Sequence, residues 1–140
     1  MTEIKFFTAV ANPIRATAGL VAKAYAQGRR VRVLTPDAQA TKELDALLWE
    51  LPPDGFLPHV ALNSPLASET PIIIDHEATH EGVADVLINL SATPPSFFAR
   101  FERMFEIVGS DEAVAAAGRD RWKFYKARGY EMTHTVMQRA

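Results

Sequence analysis

Apolar positions recur along this chain with two periods, and the alternation between the two outlines the fold. Ile4, Phe6, Phe7 and Val10 predict a short opening strand. Asn12 is placed to cap a helix with Pro13 at its first position, and Ile14, Ala18, Val21 and Tyr25 follow at helical spacing. Gly28 supplies the stop. Val31, Val33 and Leu34 predict a second strand. Thr35-Pro36-Asp37 then starts a helix whose Leu44, Leu47, Leu48 and Leu51 fall on one stripe, and Pro52-Pro53 ends it.

The second half is more broken. Residues 54–71 are rich in Pro, Gly, Asn and Ser and predict irregular backbone. Pro71 to Ile74 and Val83 to Leu90 predict two buried strands with a polar stretch, 75–82, between them. Ser96 to Phe101 predicts a short helical turn, and Met104 to Val108 a further strand. A last helix is expected from about Asp111 to Arg128 with Gly129 at its C-terminal cap. Residues 130–140 are expected to be extended or loosely ordered. Strand–helix alternation of this kind predicts a three-layer α/β domain with a mainly parallel central sheet. At 140 residues, one domain spanning 1–140 is expected.

Composition narrows the function. The formal net charge of -2 lacks the basic excess that phosphate neutralisation needs, so no direct nucleic-acid binding is expected. The absence of cysteine excludes disulfides, thiolate catalysis and cysteine-ligated metals. No leader-like or membrane-spanning apolar run occurs, so a cytoplasmic location without membrane contact is expected.

The residues offer two enzymatic readings. His76-Glu77-Ala78-Thr79-His80 is a literal H-E-x-x-H, which on a helix places two zinc ligands and a general base on one face. Here it lies between two predicted strands, with Gly82 just beyond, which leaves no room for a rigid helix. No metal and no other cofactor are therefore expected. A nucleotide-binding enzyme would carry its phosphate cradle after the first strand. Thr8 to Pro13 contains no glycine there, and no P-loop occurs elsewhere. A nucleotide-binding or zinc-dependent enzyme stays as the alternative, with no catalytic residue assigned.

The last helix is the most informative segment. Arg119, Trp122, Lys123 and Lys126 share one side. Val114, Ala117, Phe124 and Tyr125 share the other and are expected to face the core, with Arg121 and Arg128 snorkelling past them. A cationic stripe around an aromatic suits an anionic ligand with an apolar tip, such as an acidic peptide ending in an aromatic residue; the plain alternative is a solvated basic face. A second cluster, Trp49 with Phe56, Pro58 and His59, puts large rings beside a Pro- and Gly-rich loop. Such rings anchor interfaces or cover the edge of a core.

The ordered set of these features resembles the chi subunit family of bacterial DNA polymerase III holoenzyme. The resemblance rests on Leu44-Asp45-x-x-Leu48-Trp49, Phe56-x-Pro58-His59, Val86 to Leu90, Pro95-x-Phe97-Phe98, Phe101-x-Arg103-Met104-x-Glu106-Ile107-Val108, and Arg121-Trp122-x-Phe124-Tyr125 before Gly129-Tyr130. It implies a Rossmann-like fold and a non-catalytic replisome subunit. It also implies two partners: the psi subunit of the clamp-loader complex, and the acidic, phenylalanine-ending tail of single-stranded DNA-binding protein. By position, Val108, Arg119, Trp122, Lys123 and Lys126 would take the tail, and Trp49, Phe56, Pro58 and His59 would face psi. Alanines at 113 and 115–117 stand where some members carry a further lysine, so a less cationic tail site is expected here.

Overall fold

The structure, a computed structural model, describes residues 2–50, 58–61, 64, 70–77 and 85–137. Strand β1 (Glu3–Val10) leads into helix α1 (Pro13–Ala26), where the Asn12 side chain accepts a hydrogen bond from the Arg15 N–H and Pro13 occupies the first turn. Gly28 closes that helix at φ +78, a conformation that glycine adopts without a Cβ clash. Strand β2 (Val31–Leu34) and helix α2 (Ala38–Glu50) follow, the helix burying Ala40, Leu44 and Leu48. Leu51, Pro52 and Pro53, expected to finish it, lie outside the described residues.

Beyond α2 come strands β3 (His59–Val60), β4 (Ile72–Asp75), β5 (Val86–Asn89) and β6 (Arg103–Gly109), with a 3-10 turn at Phe98–Arg100 before β6. Helix α3 (Glu112–Ala127), capped by the Asp111 carboxylate on the Ala113 and Val114 N–H groups, and strand β7 (Met132–Val136) complete the order. One expectation changes and one is narrowed. The composition of 54–71 predicts irregular backbone, yet His59–Val60 pairs with β4; a two-residue strand offers no period to detect. Of the two alternatives for the stretch after Gly129, the extended one holds over Met132–Val136, where pairing with β1 orders residues whose side chains are largely exposed.

All the pairings are parallel, in the order β3-β4-β2-β5-β6-β1-β7. Strands β2, β4 and β5 are buried along their whole length, as central parallel strands covered on both faces must be. One core layer joins Ala18, Val21 and Ala24 of α1 and Leu44 and Leu48 of α2 to Val31, Val33, Ile72, Ile74, Val86, Ile88 and Ile107. The other joins Tyr125 of α3 and Phe97, Phe98 and Phe101 to Ile4, Phe6, Leu87, Met104 and Val108. The result is the three-layer α/β arrangement with helices on both faces. Among the described residues no helix is long and apolar enough to cross a membrane.

Candidate functional site

Helix α3 crosses β6 at close range, and one glycine permits it. A Cβ built on Gly118 would meet both Cγ atoms of Val108 at 2.9 Å. That approach sets Val108 at the base of a cleft of about 670 Å³ lined also by Phe6, Thr8, Arg119, Trp122, Lys123 and His134. The ladder between β1 and β6 shifts register between Phe7 and Val10, where Ala9 sits at φ +57, and this irregular strand end forms the cleft's upper wall. Of the five residues assigned to a tail site, the structure brings Val108, Arg119, Trp122 and Lys123 to one cavity. Lys126 is exposed one turn further along α3, outside it.

Each wall has its own support. The Trp122 ring is half buried, edge-on to Phe6 at 5.1 Å between centroids. His134 of β7 completes that side, 6.0 Å from Trp122 and hydrogen-bonded to the Thr8 hydroxyl at 2.6 Å. Arg119 is exposed and reaches Glu112 at 3.4 Å, an ion pair in water that holds it only weakly. Ala115 lines the cleft at one of the alanine positions noted in the sequence, so that wall carries no cation.

Behind the cleft lies a charge network that the sequence reading missed. Glu106 of β6 is fully buried and accepts hydrogen bonds from Arg121 Nε at 2.8 Å, from Asn89 Nδ2 at 3.0 Å and from the Tyr125 hydroxyl. Arg121 donates onward to the Ala92 carbonyl at 3.0 Å. Burial pushes the Glu106 carboxyl above its ordinary range, against the opposing pull of Arg121 and the donated hydrogen bonds. Burial and the neighbouring carboxylate push the Tyr125 hydroxyl up as well. Arg121 therefore does not snorkel past the core; it is 3% exposed and paired inside it. Val114, expected in the core, is 42% exposed, because α3 turns Gly118, Arg121 and Tyr125 to the sheet instead. Arg128 does reach out, its guanidinium 3.6 Å over the Phe124 ring. A signal was present: Met104, Glu106 and Val108 share one strand face, and Arg121 stands four residues before Tyr125 on the helix.

The second cluster occupies the opposite end of the sheet. Trp49 is 59% exposed on α2, its ring 5.3 Å from that of His59. The His59 side chain is fully buried with Nε2 3.0 Å from Asp45 Oδ1, so it backs Trp49 from beneath. Pro58, next to His59 in the chain, is half buried, and Phe56 lies outside the described residues.

At the H-E-x-x-H segment, His76 lies 3.4 Å from Asp75 and from the Thr41 hydroxyl, and the Glu77 carbonyl accepts from Arg32 at 2.6 Å. That arginine is buried in β2, where desolvation lowers it to about 10 against the pull of Asp75. His80 falls outside the described residues. Among the described residues no group of three His, Asp or Glu side chains is placed to hold a metal ion.

Comparison with known proteins gives the family. The family model described as DNA polymerase III chi subunit, HolC, matches residues 1–133. The DNA polymerase III subunit chi of Pseudomonas aeruginosa is 30% identical over 136 residues, covering 94% of this chain and 94% of that protein. The subunit chi proteins of Haemophilus influenzae and Escherichia coli are 27% and 25% identical, each over 81% of this chain and over 80% and 78% of their own lengths. An α/β sheet with helices on both faces and a match over nearly the whole chain agree, and the chain belongs to the DNA polymerase III chi subunit family, a membership that brings protein partners within the replisome.

Proposed function

We propose that this chain is a non-catalytic adaptor of the bacterial replisome in the cytoplasm, joining the clamp loader, through psi, to the acidic C-terminal tail of single-stranded DNA-binding protein. One observation carries the tail half of this reading: Val108, Arg119, Trp122 and Lys123 line a single cleft. The chemistry of the walls suits the tail's end. Arg119 offers a planar fork that matches a terminal carboxylate with two parallel hydrogen bonds. Trp122 and Phe6 offer aromatic surface for a terminal phenylalanine ring, and Val108 closes the base. Lys123 attracts the upstream carboxylates. At the other end of the sheet, exposed Trp49 is the anchor for psi, with His59 bracing it and Pro58 preceding His59 in the chain.

Calorimetric titration with a peptide copying the tail tests the reading. Arg119→Ala is expected to weaken binding by about 2 kcal/mol, the size of a charge-assisted hydrogen-bonded pair. Trp122→Ala and removal of the peptide's last phenylalanine are expected to act together, each abolishing most of the effect of the other. The lysine contribution is expected to fade as salt rises. Equal affinity in wild type, Arg119→Ala and Trp122→Ala overturns the assignment.

A further inference from the structure

β7 is the outer strand of the sheet and is paired on one side, with β1. The ladder opens with the Ile4 N–H donating to the Glu131 carbonyl at 3.0 Å and closes with the Met137 N–H donating to the Thr8 carbonyl at 2.8 Å. The two-residue period of a strand then turns the N–H and C=O groups of Thr133 and Thr135 toward β1. Those of Met132, His134 and Val136 point outward. Among the described residues no further strand pairs with this edge, and Met-Thr-His-Thr-Val has no lysine, no proline and a high β-propensity. Val136 and Met137, both exposed, continue it.

This edge runs beside the cationic side of α3. Trp122 faces His134 of β7, and helical geometry places Arg119, Lys123 and Lys126 within about 100° of Trp122 on that same side. The cleft itself sits at the C-terminal ends of β1 and β6, where Thr8, Val108 and Gly109 line it. A chain that ends in the cleft and lies along β7 therefore runs parallel to β7, in the sense that every strand of this sheet already follows.

We propose that the acidic peptide whose C-terminus fills the cleft continues upstream as an added parallel strand on β7. Its backbone pairs with Met132, His134 and Val136, and its carboxylates face Lys123 and Lys126. The inference rests on the tail-binding reading. It also gives a role to Lys126, which lies outside the cleft, and to this edge. Main-chain pairing supplies affinity that does not depend on the upstream sequence, while the lysines select for negative charge.

The test is an N-methyl scan of the long acidic, phenylalanine-terminated peptide, read by calorimetry. A strand paired on one edge presents alternate N–H groups to its neighbour. Methylation is expected to lower affinity about tenfold at every second upstream nitrogen and to leave the intervening ones unchanged. Amide hydrogen exchange supplies the matching readout: the Met132, His134 and Val136 amides slow on binding, and those of Thr133 and Thr135, already bonded to β1, do not. If the parent peptide binds and responds to Arg119→Ala, yet neither alternation appears, the added strand is overturned and the tail site stands. If the parent peptide does not bind at all, the tail site falls, and the added strand with it.

Discussion

At the β7 end of the sheet the surface is concave, and its walls rest on fully buried charge: Glu106, Arg121, Tyr125 and Asn89 tie α3 to β5 and β6 behind the cleft. At the β3 end the surface is a protruding ring, Trp49, braced by a histidine–aspartate contact at the outer side of a two-residue strand. At the first end two core residues, Phe6 and Val108, also line the cleft. The second lets a large side chain be lost with little change beneath it. Stability and binding should thus move together for the core residues under the cleft and separately at Trp49.

The largest effect is expected from Arg121→Ala. It leaves the Glu106 carboxylate buried without its cation and should cost about 3–5 kcal/mol in a denaturant titration. Adding Glu106→Gln should recover part of that loss, since the uncompensated charge is then gone. Full stability of the single variant would break the contrast at its strong end. Gly118→Ala comes next. A methyl group gains about 1 kcal/mol of helix propensity over glycine but drives into Val108, whose branched side chain has little freedom, at roughly 1–3 kcal/mol. A net loss of about 1 kcal/mol is expected, together with weaker peptide binding, because Val108 is the base of the cleft. The smallest stability effect is expected from Trp49→Ala, within about 0.5 kcal/mol, alongside a loss of about 2 kcal/mol or more in binding to psi. Melting curves and pull-downs on the same samples decide it: a marked drop in melting temperature with binding intact makes Trp49 a structural residue.

The features legible in the sequence are those written in local chemistry. Asn12-Pro13, Gly28, Asp111 and Gly129 mark helix ends because capping and positive φ depend on a residue and its near neighbours. The gathering of Arg119, Trp122 and Lys123 follows from helical spacing, and Val108 was joined to them by the family resemblance. Hidden from that reading were the features made by distant pairing. His134 enters the cleft because β7 lies beside β1, and no residue near it in sequence announces that. In the sequence Arg121 reads as one more cation at the edge of the core. Its partner Glu106 sits on another element, and only their shared inward direction gives the pair away. The strand at His59–Val60 is too short to carry a period and exists because β4 offers it an edge.

The place of β1 in the sheet also bears on how the chain is assembled. Both neighbours of this strand, β6 and β7, come from far downstream, with Glu3 set against Arg103 and Ile4 against Met132. As the chain leaves the ribosome, α1, α2, β2 and β4 emerge early, while β1 waits with both edges unpaired. Such high contact order slows folding and leaves an apolar segment open to wrong partners. The cleft draws on β1, β6, α3 and β7 together, so it cannot be complete until β7 has emerged, whereas Trp49 and His59 both lie in the first half of the chain.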